Sequence, residues 1–371
     1  MGFFSKGFGY FEMLIIFSLF YIFRFIGFEI GDDLLGHVMF VYNYLTGKET
    51  YITSVLYSIV IYVFSGFKTD INYLMFSAVF VLTFFVFFKY LLVKNIFIEE
   101  LGSDNKQNIY IASLLSFVLI VVFSLPVIYF FKHYYYLGNI PSNIWHNSTT
   151  IFAMPFVILL FWFSVKQIDD FSKKRLFSIL ILVILNALSK PSFLLVYILV
   201  YPLFMFFKYK FSRFLFYNMT PLFVASVLLL LNYLFVYQSN HSSSFDNSHI
   251  KFSLFEFINI LYFNNSNVLM SIVVFLLAML GSFLFPAFTL FKNKDMLKKT
   301  PVRFALISLV VALLIAVFVN ESGAKSGHGN FTWQAIMCTY LLFFTVTLEL
   351  FKRFHQPGFV KKYRMELCFL M

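Results

Sequence analysis

The sequence predicts an all-α polytopic membrane protein, and three observations carry that prediction. Hydrophobic residues make up 61% of the chain and charged residues only 12%, with a mean hydropathy of +0.84. A soluble domain needs far more charge on its surface, so the bilayer is this chain's solvent. Long apolar runs recur along all 371 residues rather than at one end,. These runs also lack the polar/apolar alternation of barrel strands, and a chain in hydrocarbon must pair its own backbone groups, so the spans are helices.

Apolar runs lie at about residues 11–28, 51–67, 71–93, 109–131, 150–165, 176–188, 193–207, 214–237, 268–291, 304–320 and 333–351. Charge decides which of them cross. The net charge of +11 is not a nucleic-acid signature, because Lys and Arg sit in short clusters between runs. Lys173-Lys174-Arg175, Lys208 with Lys210 and Arg213, Lys292 to Arg303, and Lys352 through Arg364 read as cytoplasmic,. Two runs separate each cluster from the next, and the alternation works back to an inner segment at 94–106. If 51–67 also crossed, the acidic stretch from Glu29 to Glu49 would fall inside, which is the wrong sign,. The expected layout is therefore one integral membrane domain over 1–371, with about ten spans and both termini cytoplasmic,. A first extracytoplasmic loop at 28–70 carries surface helices, and 352–371 forms a basic cytoplasmic tail. Val38, Val41, Tyr42 and Leu45 recur at helical spacing within that loop, while Asn43 and Thr46 face away,.

The first run lacks an evident small-residue cleavage site and reads as a retained helix,. Two cysteines, Cys338 and Cys368, suggest no disulfide framework,. A composition rich in Phe, Ile, Lys, Asn and Tyr fits a bacterial source, hence an inner (cytoplasmic) membrane.

This layout sorts the polar residues. Asp32, Asp33 and His37 follow the first span on the outer side, together with His133, the stretch "NIPSNIWHNSTT", the break "LSKPSF", His241, His249 and "NESGAKSGHGNFTW". Six of the seven histidines thus fall on one face, and a shared outer site explains the set. Asp32 and Asp33 read either as solvated or capping carboxylates, or as an acidic pair at the mouth of a span, within reach of a membrane-borne substrate. Asn147 or Ser148 caps a helix, and that helix start, with its free N–H groups, also suits a phosphate. Trp145 belongs to the interfacial aromatic belt or stacks on a sugar ring, with His146 beside it. Lys190 either snorkels at a helix hairpin or serves as a point charge for a phosphate oxygen, with Pro191 in the first turn of a helix capped by Ser189. Arg24 sits near the outer boundary, able to pair with an acid or a phosphate. Lys325, His328 and Asn330 occupy a Gly- and Ser-rich turn before Trp333 and Gln334, the aromatic and amide types that hold a sugar's apolar face and hydroxyls. No metal signature stands out: His241, Asp246 and His249 match no ligand spacing, and Asp32 with Asp33 would hold a divalent cation only together with substrate phosphates. There is no P-loop, dinucleotide fingerprint or Ser-x-x-Lys motif.

The acidic pair closing the first span and the run "GDDLLGHVMFVYNYLTGKE" resemble the start of membrane-embedded glycosyltransferases of the GT-C fold. "DDLLGHVMFVYNYLTG" is similar to the opening of protein mannosyltransferases and aminoarabinose transferases, and the short Phe-rich chain also resembles the polymerases of O-antigen and capsule repeat units. The resemblance covers about the first fifth of the chain. It implies a polyprenyl-phosphate or polyprenyl-diphosphate sugar as donor, a glycan acceptor, and a catalytic base at or beside Asp32, Asp33 and His37, with Tyr44 and Gly47 ending the loop helix. The rival expectation is a flippase or transporter of a lipid-linked saccharide, which would place charge deep within spans.

Overall fold

In an apolar solvent the helix is the local answer to backbone pairing, and the chain adopts it nearly throughout. The computed structural model describes residues 9–31, 33–102, 105–124, 140–238, 249–256, 258, 260, 268–323, 329–354 and 358–370. In chain order the helices are α1 (Tyr10–Phe25), α2 (Asp33–Leu45), α3 (Val55–Phe64), α4 (Ile71–Leu101), α5 (Lys106–Val121), α6 (Ser148–Asp169) and α7 (Lys173–Ser189). There follow α8 (Ser192–Tyr209), α9 (Arg213–Tyr233), α10 (Val268–Lys292), α11 (Thr300–Phe318), α12 (Trp333–Phe351), α13 (Phe359–Lys362) and α14 (Arg364–Leu370). Among the described residues eight segments are long and apolar enough to cross a membrane: Tyr10–Ile30, α4, α6, α8, Arg213–Val236, α10, α11 and α12. The protein is an all-α, multi-pass membrane protein.

The other apolar runs give shorter helices. With 16 residues in α5 and 17 in α7, these helices measure about 24 and 26 Å, against roughly 30 Å of hydrocarbon. Residues 125–139, into which the sequence extends the run begun by α5, lie outside the described residues. Helix α3, with 10 residues, is too short to cross,.

The chain divides into two compact units that share the sequence in alternating segments. The first comprises Met1–Ile120, Ile144–Leu159 and Ile184–Pro191. Here α1, α2 and α3 each pack on α4. The 31 residues of α4 make a rod of about 46 Å,. It starts at Asp70, whose Oδ1 accepts the N–H groups of Asn72 at 2.8 Å and Tyr73 at 3.3 Å,. Near its far end a buried ionic knot ties it to α1. Glu12 Oε1 accepts from Lys94 Nζ at 2.7 Å and from the Tyr90 hydroxyl at 2.9 Å, while Oε2 accepts the Gly9 N–H at 3.0 Å. Lys94, at the edge of the segment that the sequence reads as inner, is buried and paired. Helix α1 then runs into a π-helical turn, Ile26–Ile30, whose Gly27 lies so close to Leu34 and Met75 that a Cβ would meet each at 3.1 Å. Gly31, at φ +66°, turns the chain into α2,.

The second unit comprises Val121–Asn143, Leu160–Val183 and Ser192–Met371. Helix α12 is its axis: every residue from Gln334 to Phe351 is buried, and the helix is apolar on nearly all sides, as a helix enclosed by others must be,. Phe161 stacks on Phe304 at 5.3 Å, and Trp162 meets Phe344 edge-on at 5.9 Å,. Asn218 Oδ1 accepts from Gln167 Nε2 at 3.1 Å and from the Tyr201 hydroxyl at 3.0 Å, so the polar groups buried there are paired,. Two three-residue strands, β1 (Ile250–Phe252) and β2 (Val319–Glu321), pair antiparallel with Lys251 opposite Asn320. After α12, Arg353 reaches Asp295, Asn293 Oδ1 at 3.1 Å and the Tyr363 hydroxyl at 3.4 Å, fastening the basic tail to the α10–α11 connection.

Candidate functional site

The acidic mouth of the first span belongs to the first unit. Helix α2 begins at Asp33, so this carboxylate lies in the first turn, where unpaired N–H groups favour negative charge,. His37 follows at i+4 on the same face, with Nε2 3.6 Å from Asp33 Oδ1, near but too long for a hydrogen bond,. Leu34, Val38 and Val41 form the adjoining, buried stripe, so Asp33 and His37 sit at the edge of the packed face of α2,. The helix ends before Gly47, at φ +73°, where Lys48 N–H returns to the Asn43 carbonyl at 2.8 Å,.

Two distant segments converge on Asp33. Asn147 precedes α6 and caps it, its Oδ1 accepting the Thr150 N–H at 3.0 Å,. The other end of the same amide donates from Nδ2 to Asp33 Oδ2 at 2.7 Å. Lys190, in the connection between α7 and α8, donates from Nζ to Asn147 Oδ1 at 2.9 Å and to Thr149 Oγ1 at 3.1 Å. The local reading of "LSKPSF" needs correction here. Ser189 ends α7 rather than capping α8, the Lys190 N–H still bonds to the Asn186 carbonyl at 2.9 Å, and Pro191 precedes α8 instead of entering it. A proline disfavours helical dihedrals in the residue before it, so the break falls at Lys190 and turns this lysine inward.

Burial governs the titration of this cluster. Lys190 is only 9% exposed, and desolvation pushes its pKa down to about 7 although Asp33 opposes the change,. His37 keeps 27% of its side-chain exposure, yet burial still pushes its pKa down to about 4; Asp33 acts against this and Lys190 adds to it,. The imidazole is therefore neutral at pH 7. Tyr57 from α3 backs the site: its ring lies edge-on to His37 at 6.5 Å, and burial raises its hydroxyl above the ordinary range. The Tyr57 hydroxyl lies beside that of Ser148, at the start of α6.

The remaining candidates are distributed as follows. Asp32 lies outside the described residues, as do His133, His241, Asp246, Lys325, His328 and His355. Arg24 is exposed in the last turn of α1, Trp145 packs its ring on Phe23 at 5.8 Å, and His146 is half-buried beside it, all in the first unit. Asn330, Trp333 and Gln334 belong to the second unit, where Asn330 Nδ2 donates to Glu321 Oε2 at 2.7 Å and the buried Gln334 amide donates to the Phe331 carbonyl. Sequence reasoning missed Tyr57 and Thr149. Tyr57 gave no signal, being one of 23 tyrosines and set in an apolar run. Thr149 was visible only as part of a capping stretch. It also missed Glu12, although an acid at the start of the first run and a lysine at the end of the next are the signal for such a pair.

Among the described residues no group of three His, Cys, Asp or Glu side chains is placed to hold a metal ion. An aromatic cleft of about 270 Å³ opens elsewhere on the first unit, lined by Phe20, Phe64, Tyr73, Phe76 and Phe80 among others. No family model, curated protein or solved structure matches the chain.

Proposed function

We propose that the protein is a GT-C-type glycosyltransferase of the bacterial inner membrane, with about ten spans and both termini cytoplasmic. In this reading it uses a polyprenyl-phosphate or polyprenyl-diphosphate sugar at the extracytoplasmic face to build or decorate a cell-surface polysaccharide. The observation that carries the reading is Asp33, a half-exposed carboxylate at the end of the first span, held by an amide and flanked by a neutral imidazole. Such a group can act as a base toward a hydroxyl, and a lipid phosphate supplies its own good leaving group. The acceptor oxygen attacks the anomeric carbon and its proton passes to the carboxylate. The bond between that carbon and the phosphate oxygen breaks, and the electron pair leaves on the polyprenyl phosphate. In this reading Arg24, in the last turn of α1, and His146 would donate to that phosphate, and the aromatic cleft suits an isoprenoid chain,. Asp33→Asn, shown to insert at native levels, should abolish the surface glycan and accumulate lipid-linked precursor; normal glycan would refute the assignment.

A buried ion pair inside helices α1 and α4 is the feature that favours transport instead,. Purified protein in liposomes that moves a lipid-linked sugar between leaflets, with no new glycosidic bond formed, would establish that reading.

A further inference from the structure

We infer that Lys190 and Asn147 are positioning residues for Asp33, a relay that selects which carboxylate oxygen reacts, and that Lys190 does not bind the departing phosphate. The inference rests on the reacting role proposed above for Asp33.

Donor and acceptor identities force the arrangement. Asn147 Oδ1 faces the Thr150 backbone N–H at 3.0 Å and the Lys190 ammonium at 2.9 Å, and both of these groups only donate,. A flipped amide would set NH2 against two donors, so Lys190 and the helix start together fix the amide's direction. The opposite end must then present N–H to Asp33, which it does at 2.7 Å from Oδ2. Lys190 is thereby converted from a charge into a directed donor aimed at one carboxylate oxygen. Oδ2 is occupied, and Oδ1, which among the described residues has only His37 Nε2 near it at 3.6 Å, is left to receive a proton.

The same geometry argues against a phosphate at Lys190. Its ammonium is buried against Asn147 and Thr149, and an incoming anion would have to displace the groups that cap α6. Among the described residues, His37 from α2 and Tyr57 from α3 are titratable groups that face the relay, and His146 precedes Asn147 in the chain.

Asn147→Asp isolates the directed N–H, because aspartate caps a helix as well as asparagine and still gives Lys190 a partner. It places carboxylate against carboxylate, and such a pair shares a proton. Infrared spectra at neutral pH should show a protonated-carboxyl stretch in Asn147→Asp that is absent from the native protein and from the Asn147→Asp, Asp33→Asn double variant. This readout requires no substrate. Its absence would overturn the relay even if the functional reading holds.

For turnover, the prenyl-linked sugar fraction from cells lacking the protein serves as donor in membrane vesicles. Lys190→Met should lower kcat at least tenfold with KM for that donor within twofold of native. Asn147→Asp should move the acid limb of the rate profile up by about one pH unit or more. A raised KM with preserved kcat in Lys190→Met would return this lysine to the phosphate and overturn the inference. Full activity in Asp33→Asn would overturn the functional reading, whatever the infrared result.

Discussion

Replacing Lys94 by Met removes the only cation bonded to Glu12 among the described residues, and the structure sets the size of the penalty. The Lys94 and Glu12 side chains are 2% and 4% exposed. The charge left on Glu12 would keep the Tyr90 hydroxyl and the Gly9 N–H but lose its counter-ion. Breaking a buried pair from one side costs about 3–5 kcal/mol, and Glu12→Gln, which takes the carboxylate charge from Lys94, should fall in the same range. Replacing both, as Glu12→Leu with Lys94→Met, removes both charges and leaves chiefly the Tyr90 hydroxyl to re-pair, a loss of about 1 kcal/mol. The double variant should therefore be more stable than either single one. Unfolding in mixed micelles titrated with SDS, followed by circular dichroism, measures all three. Single variants costing under about 1 kcal/mol each, and adding in the double, would mean that water reaches the pair and that it does not fasten α1 to α4.

Three further outcomes are expected. Unfolded Lys190 holds its proton to about 10.5 and the folded residue releases it near 7, so unfolding takes up a proton between those values,. Stability should thus rise with pH across that window, by up to about 5 kcal/mol for a gap of 10.5 to about 7,, and the rise should vanish in thermal melts of Lys190→Met. Gly36 is exposed within α2 with nothing near the position of a Cβ, so Gly36→Ala should stabilise the isolated protein by about 0.5–1 kcal/mol,; a melting point at or below native would contradict this. Gly27→Val meets Leu34 and Met75 at the tight π turn and should destabilise by about 1–3 kcal/mol, with Gly27→Ala milder in the same denaturation assay,.

Much of this protein was legible before any coordinates. The bilayer admits few local solutions, so composition and run length were enough to specify helices, and the 3.6-residue recurrence of Val38, Val41, Tyr42 and Leu45 was enough to mark α2 as a helix, in which Val38 and Val41 are buried,. A helix start capped by Asn147 or Ser148 was equally readable, because capping is a short-range property of a few side chains.

What the sequence left open needs contacts across many residues. Asn147 lies 114 positions from Asp33 and 43 from Lys190, and no local pattern encodes that meeting. Lys94 read as one more inner-face cation, and its bond to Glu12, 82 residues away, was not legible there. The physical reason is common to both. Propensity, capping and hydropathy act within a turn or two of chain, whereas the partner of a buried charge is chosen by how helices pack, and that choice decides whether a lysine meets water, a phosphate or a carboxylate's neighbour.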